Sequence, residues 1–177
     1  IVDSLKISDL SWNAMQKMKP LYSSPLIINE LINDPIAYEV EFNKMAKQNK
    51  MLVIGLETAE YQLNVLDKVS IEEQVEMLKI ETYDTSPLEE FMTLIEIYKD
   101  QDINRMLEMF YEDTMMLKYE EELLIGRNQN WIPVIEKRIV NEPVFIAVGA
   151  MHLPGRYGVL NLLKQKGYTV SPVDIHD

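Results

Sequence analysis

Residues Pro143 to Gly155 read PVFIAVGAMHLPG, and this stretch decides the fold class. Pro143-Val-Phe-Ile-Ala-Val148 is a continuous apolar run, rich in β-branched side chains and stopped by Gly149. A short run bounded by turn residues suits a strand buried on both faces of a sheet. Met51-Leu-Val-Ile54, ending at Gly55, is a second run of the same kind. A third candidate, Tyr168-Thr-Val170, is stopped by Pro172. It follows a helical pattern at Val159, Leu160, Leu162 and Leu163, with Gly167 as the helix stop. Strand, turn, helix, glycine, strand is the order of a βαβ-like unit. The expectation is an α/β (α+β) fold, a small mixed sheet in a helix-rich chain.

Outward from these runs the pattern is helical. Ser70-Ile-Glu-Glu73 and Ser86-Pro-Leu-Glu89 are capping boxes, the second with proline at the first helical position. Leu88, Phe91, Met92, Ile95 and Tyr98 then recur at helical spacing. Asp102 is placed to cap a helix through Met106, Leu107 and Phe110, and helical pattern also covers Leu117 to Ile125 and Gly126 to Val140. Pro133 falls inside the last of these, where it would cost ~3 kcal/mol, which points to a restart of the helix there. Asp34-Pro35 starts a helix running to about Asn49, and Ser8 to Lys19 is helical in pattern. The organisation expected is one partial domain over residues 1–177, with residues 59–140 as a helical insertion between the strands. Three strands make a thin sheet for so much helix. Either further strands lie upstream or in a partner chain, or the protein is helical with three short edge strands.

The chain has 177 residues, enough for one apolar core. Its net charge of −12, without a basic patch, opposes binding to a nucleic-acid backbone. Carboxylates on the solvated faces of helices account for the acidic excess. The absence of cysteine excludes disulfides, thiolate metal sites and a cysteine nucleophile. No apolar run approaches the ~20 residues that span a bilayer. The eleven methionines read as core filler rather than a soft-metal site.

Candidate chemistry sits at the ends of the two apolar runs. His152 follows Val148 and Gly149, just past a strand's carboxyl end, where open α/β sheets bind ligands. It reads as a metal ligand or general base, or as a structural imidazole. Glu57, in Gly55-Leu-Glu57-Thr58, emerges after the other run. If the two strands are neighbours, carboxylate and imidazole converge as part of a metal site or as an acid/base pair. Otherwise Glu57 is a first-turn helix carboxylate. Asn128 interrupts the apolar face of Leu124, Ile132, Ile135 and Ile139. A buried amide without partners costs ~1–3 kcal/mol, so Asn128 either ties two backbones together or reaches a site. Arg127 beside it is suited to clamp a carboxylate or to stabilise developing negative charge. Tyr38, Phe42, Met45 and Ala46 share one helix face, which makes Tyr38 a core residue. Glu39, one step round, is solvated or contributes to cofactor binding. His176 reads as an ordinary tail residue. There is no GxGxxG or Walker-type loop, no HExxH and no GxSxG.

In combination these segments resemble the TraB/GumN family, which includes the Tiki-type metalloproteases and is more distantly similar to haem-binding ChaN and the erythromycin esterases. The resemblance runs from about residue 34 to 173. MLVIGLETAEYQ (Met51 to Gln62) looks like the family's strand and GLET block, Arg127-Asn128 like its Arg-Asn pair, and PVFIAVGAMHLPGRYGVLNLLKQKGYTVSPV (Pro143 to Val173) like its closing block with GxxH. It implies a metal-dependent hydrolase, probed first as a peptidase acting on a peptide or protein. The implied site holds a divalent metal, Mn or Co with Zn as a further candidate. His152 and Glu57 would be the ligands, Glu57, His152 and Arg127 the catalytic groups, and Asn128 and Glu39 cofactor-binding. The first GxxH of the family has no match, since no glycine other than Gly149 precedes a histidine by three. Half of the implied metal site is thus missing, and the chain is expected to be the later part of a longer product. The same cleft could alternatively belong to a non-catalytic binding module for haem, a peptide signal or a partner protein. Exposed sheet edges would let copies of the chain pair into a homo-oligomer. Ile1 in place of a Met and family habit together suggest an extracytoplasmic protein of the periplasm or envelope, its signal peptide removed. The alternative is a cytoplasmic one.

Overall fold

The structure is a computed structural model, and it describes residues 13–23, 26, 36–83 and 86–173. Contacts divide the chain into two units, Ile1–Pro87 and Leu88–Asp177.

The first unit contains a 3-10 turn at Pro20–Ser23 and helices α1 (Tyr38–Gln48), α2 (Ala59–Leu66) and α3 (Ile71–Tyr83). The helix starts follow from their caps. Thr58 Oγ1 accepts from the Tyr61 N–H at 3.1 Å to begin α2. Ser70 Oγ accepts from the Glu73 N–H at 3.2 Å and donates to Glu73 Oε2 at 2.7 Å, so this capping pair closes side chain to side chain. Val65, Val69 and Gln74 form the buried centre. Gln74 is tolerated there because both ends of its amide are used. Its Nε2 donates to Val69 O at 2.8 Å, and its Oε1 accepts from the Leu21 N–H at 3.4 Å. Tyr22 donates its hydroxyl to Asp67 Oδ1 at 2.9 Å, and Lys19 Nζ lies 2.6 Å from the same oxygen.

The second unit holds α4 (Ser86–Lys99), whose first two residues precede the boundary, then α5 (Ile103–Glu112), α6 (Thr114–Leu117), a π turn at Glu121–Ile125, α7 (Gly126–Ile139), a 3-10 turn at Ala150–His152 and α8 (Val159–Gln165). Asp102 caps α5 by accepting from the Arg105 N–H at 2.9 Å. Asp113 caps α6, its Oδ1 accepting from Met115 and Met116 N–H at 2.9 and 3.0 Å. Buried Trp131, Ile132 and Ile135 of α7, with Leu124, Tyr119, Met106 and Val159, make the core. α7 continues through Pro133 rather than restarting. Pro133 and Gln129 are both exposed, so the carbonyl deprived of its donor belongs to the solvated side of the helix.

The expected mixed sheet is overturned: among the described residues there is no strand. Met51–Ile54, 143–148 and 168–170 are irregular. Leu52 is 80 % and Phe145 69 % exposed, so these runs do not form a buried layer. A strand exists only when its N–H and C=O groups pair with a neighbour, and an apolar composition does not supply one. α1 corrects a second expectation. Tyr38 is 59 % exposed, not core, and its ring stacks on Phe42 with centroids 6.1 Å apart. The helix begins at Tyr38 after Ala37, while the expected start at Asp34-Pro35 lies outside the described residues. So do the first part of the Ser8–Lys19 pattern and His176.

Candidate functional site

His152 closes the Ala150–His152 turn, with its N–H donating to Gly149 O at 2.9 Å and the Leu153 N–H donating to Ala150 O at 3.0 Å. The chain then folds back through Pro154–Gly158. Gly155 has φ +82°, and a Cβ there would stand 2.8 Å from Leu107 Cδ2 of α5. A Cβ on Gly158 would run into the carbonyl oxygens of Pro154 and Leu153. The return is therefore tight enough to bring the Tyr157 carbonyl and the His152 ring to the same residue of α7.

That residue is Asn128, buried at 2 % exposure. Its Oδ1 lies 2.7 Å from His152 Nδ1. Its Nδ2 donates to Tyr157 O at 2.9 Å and, more weakly, to His152 O at 3.4 Å. The amide thus ties the histidine return to α7, and its oxygen meets the candidate histidine. His152 is itself buried, at 8 % exposure. Its ring packs against Trp131 with centroids 4.5 Å apart and planes inclined at 50°. On Trp131 in turn lies the Arg127 guanidinium, 5.1 Å from the ring centroid, with Nη1 donating to Leu123 O at 3.2 Å.

The π turn seats this helix. Gly126 N–H donates to Glu121 O, five residues back, and a Cβ on Gly126 would stand 3.0 Å from that oxygen. A small cavity of about 20 Å³, roomy enough for one water, adjoins Asn128 and Tyr157. Tyr111 and Glu120 also line it, and the Tyr111 hydroxyl donates to Glu120 Oε1 at 3.0 Å. Burial, then the bond to Glu120, raises the Tyr111 pKa above the usual phenol value.

Of the residues singled out in the sequence, Arg127, Asn128 and His152 come together in the second unit. Glu39 and Glu57 belong to the first. Glu39 is exposed on α1. Glu57 is half-buried and precedes the α2 cap Thr58, so the first-turn carboxylate of that helix is Glu60 instead. Trp131 was not singled out. The signal for it was present, since it stands three residues after Asn128 and four after Arg127, on the same helical face.

The TraB/PrgY/gumN family model matches residues 3–172, nearly the whole chain. The chain belongs to the TraB/PrgY/gumN family. Comparison with curated proteins and with solved structures gave no match. In this TraB/PrgY/gumN chain the family match begins upstream of residue 34, where the resemblance in the sequence starts. Among the described residues no helix is long and apolar enough to cross a membrane. Nor is any group of three His, Cys, Asp or Glu residues placed among them to hold a metal ion.

Proposed function

We propose that this chain carries part of the site of a hydrolase of peptidase type, with His152 as the group that meets the substrate or a bound ion. The observation that supports it is the setting of His152: a buried imidazole with its Nδ1 held by Asn128 and its ring held by Trp131. An imidazole fixed in this way is suited to proton transfer or ligation at one defined atom. Arg127, whose guanidinium lies over Trp131, would supply positive charge for a carboxylate or a developing oxyanion. Family likeness supports Mn or Co, with Zn as a further candidate. The donor set in the described residues is not a metal set by itself, so the ion would need ligands besides His152, and no step of this reading passes through it. Family likeness alone supports Glu57 as a ligand or general base and Glu39 as a cofactor contact. An extracytoplasmic location rests on family likeness alone.

A second reading, a non-catalytic binding module for a peptide or other apolar group, is favoured by a cleft of about 440 Å³ beside the histidine turn. Tyr98, Ile103, Met106, Val148, Ala150 and Leu153 line it together with the polar Lys99 and Gln101, and its size is that of a small-molecule site.

Calorimetry with Mn, Co and Zn on the wild type and on His152→Ala tests the first reading. Binding that is lost in the variant supports it and calls for a peptide-cleavage screen. No binding to either protein, with saturable uptake of an apolar peptide, favours the second.

A further inference from the structure

We infer that Asn128 is a positioning residue that fixes the tautomer of His152, placing the proton on Nδ1 and the lone pair on Nε2. The amide of Asn128 is oriented independently of the imidazole ring. Its Nδ2 must face Tyr157 O at 2.9 Å and His152 O at 3.4 Å, because these are carbonyl oxygens and only accept. Turned the other way, the amide would set Oδ1 against two carbonyl oxygens in a site that is 2 % exposed. With Nδ2 committed, the atom 2.7 Å from His152 Nδ1 is Oδ1, an acceptor with no proton to give. Nδ1 therefore donates. A neutral imidazole carries one proton, so Nε2 is its basic nitrogen. The Trp131 ring, 4.5 Å from the imidazole, opposes rotation out of this arrangement.

The inference shares its histidine with the proposed hydrolase site but does not depend on the site being hydrolytic. It commits that site to one atom: ligation or proton uptake at His152 proceeds through Nε2. Asn128 acts only through the histidine.

Nitrogen-15 NMR of the imidazoles in the full chain, at about pH 8 where an ordinary histidine is neutral, reads the tautomer directly. The His152 signals are assigned by their loss in His152→Ala. A pyrrole-like shift at Nδ1 and a pyridine-like shift at Nε2 are expected. One net hydrogen bond sustains a roughly five-fold excess of this form. In Asn128→Leu the two shifts should move towards each other or exchange. A protonated Nε2 in the wild type overturns the inference, and so does an unchanged pattern in folded Asn128→Leu. If that variant does not fold, the wild-type spectrum decides alone. Cobalt added to the same sample tests the other proposal. Absence of paramagnetic broadening at His152 would remove the metal reading and leave the tautomer standing.

Discussion

Trp131 and His152 pack ring on ring, 4.5 Å between centroids, with the Arg127 guanidinium on the same indole. Trp131 is only 4 % exposed, so it joins the core of the second unit to the candidate site. Trp131→Ala should cost about 3–5 kcal/mol in urea unfolding, as for other large aromatic truncations. Trp131→Phe should cost much less and keep the histidine in place. Equal losses in the two variants would mean that the ring contributes little through packing.

Two glycines should respond to alanine in different ways. Gly167 has φ +93° but nothing within 4 Å of a Cβ, so Gly167→Ala meets only backbone strain, about 1–3 kcal/mol. Gly158→Ala meets the backbone oxygens of Pro154 and Leu153, which cannot swing away as a side chain would. The histidine return must open to admit it. Urea midpoints should rank Gly158→Ala well below Gly167→Ala, and loss of signal dispersion at His152 and Tyr157 should accompany only the former.

Ser70→Ala removes an acceptor for the Glu73 N–H and a partner for the Glu73 carboxylate. About 1 kcal/mol of stability should be lost. Ser70→Thr should recover most of it, and a thermal melt of the three proteins checks the order.

The Asp67 carboxyl is held below the usual carboxylate range, first by its bond from Lys19 and then by that from Tyr22; burial opposes them, and the Lys19 charge adds a smaller lowering. A depressed carboxylate pKa contributes stability that is present above the unfolded value and lost as pH falls through the folded one. The acid limb of the melting curve should therefore be shallower in Asp67→Asn, between the ordinary carboxylate pKa of about 3.9 and more acid pH. Tyr22 works in the opposite sense. Burial and then Asp67 raise its pKa, so its contribution is present below the ordinary phenol value and lost as pH rises through the folded one. Tyr22→Phe should flatten the alkaline limb.

Helices were legible in the sequence because their stops are local. Ser70 and Asp102 cap where their spacing says, and Gly167 ends α8 with a positive φ. Asn128 was legible because an amide on an apolar face must find partners, and it finds three. The sheet was misread for the converse reason. An apolar β-branched run at 143–148 states a preference, but a strand is a relation between two segments. Spacing on one segment does not reveal whether the other is there. Tyr38 was misplaced in the same way, since the periodicity of α1 names a face without naming what covers it. Of the cluster, Arg127, Asn128 and His152 were readable, and Trp131 was not singled out.

The five-residue turn at Glu121–Ile125 has a further consequence. On an α-helix residues five apart lie about 140° round from one another, yet Tyr119 and Leu124 are both buried. The wider turn takes up the difference, so that the segment before it and the segment carrying Asn128 turn inward together. The helix holds one residue more than its regular form requires. Deleting a single residue from this stretch would yield a more regular helix and a worse protein, because everything upstream would be rotated by about 100° out of phase with Asn128. Here the chain's length is itself information, and a substitution scan, which never alters length, would not detect it.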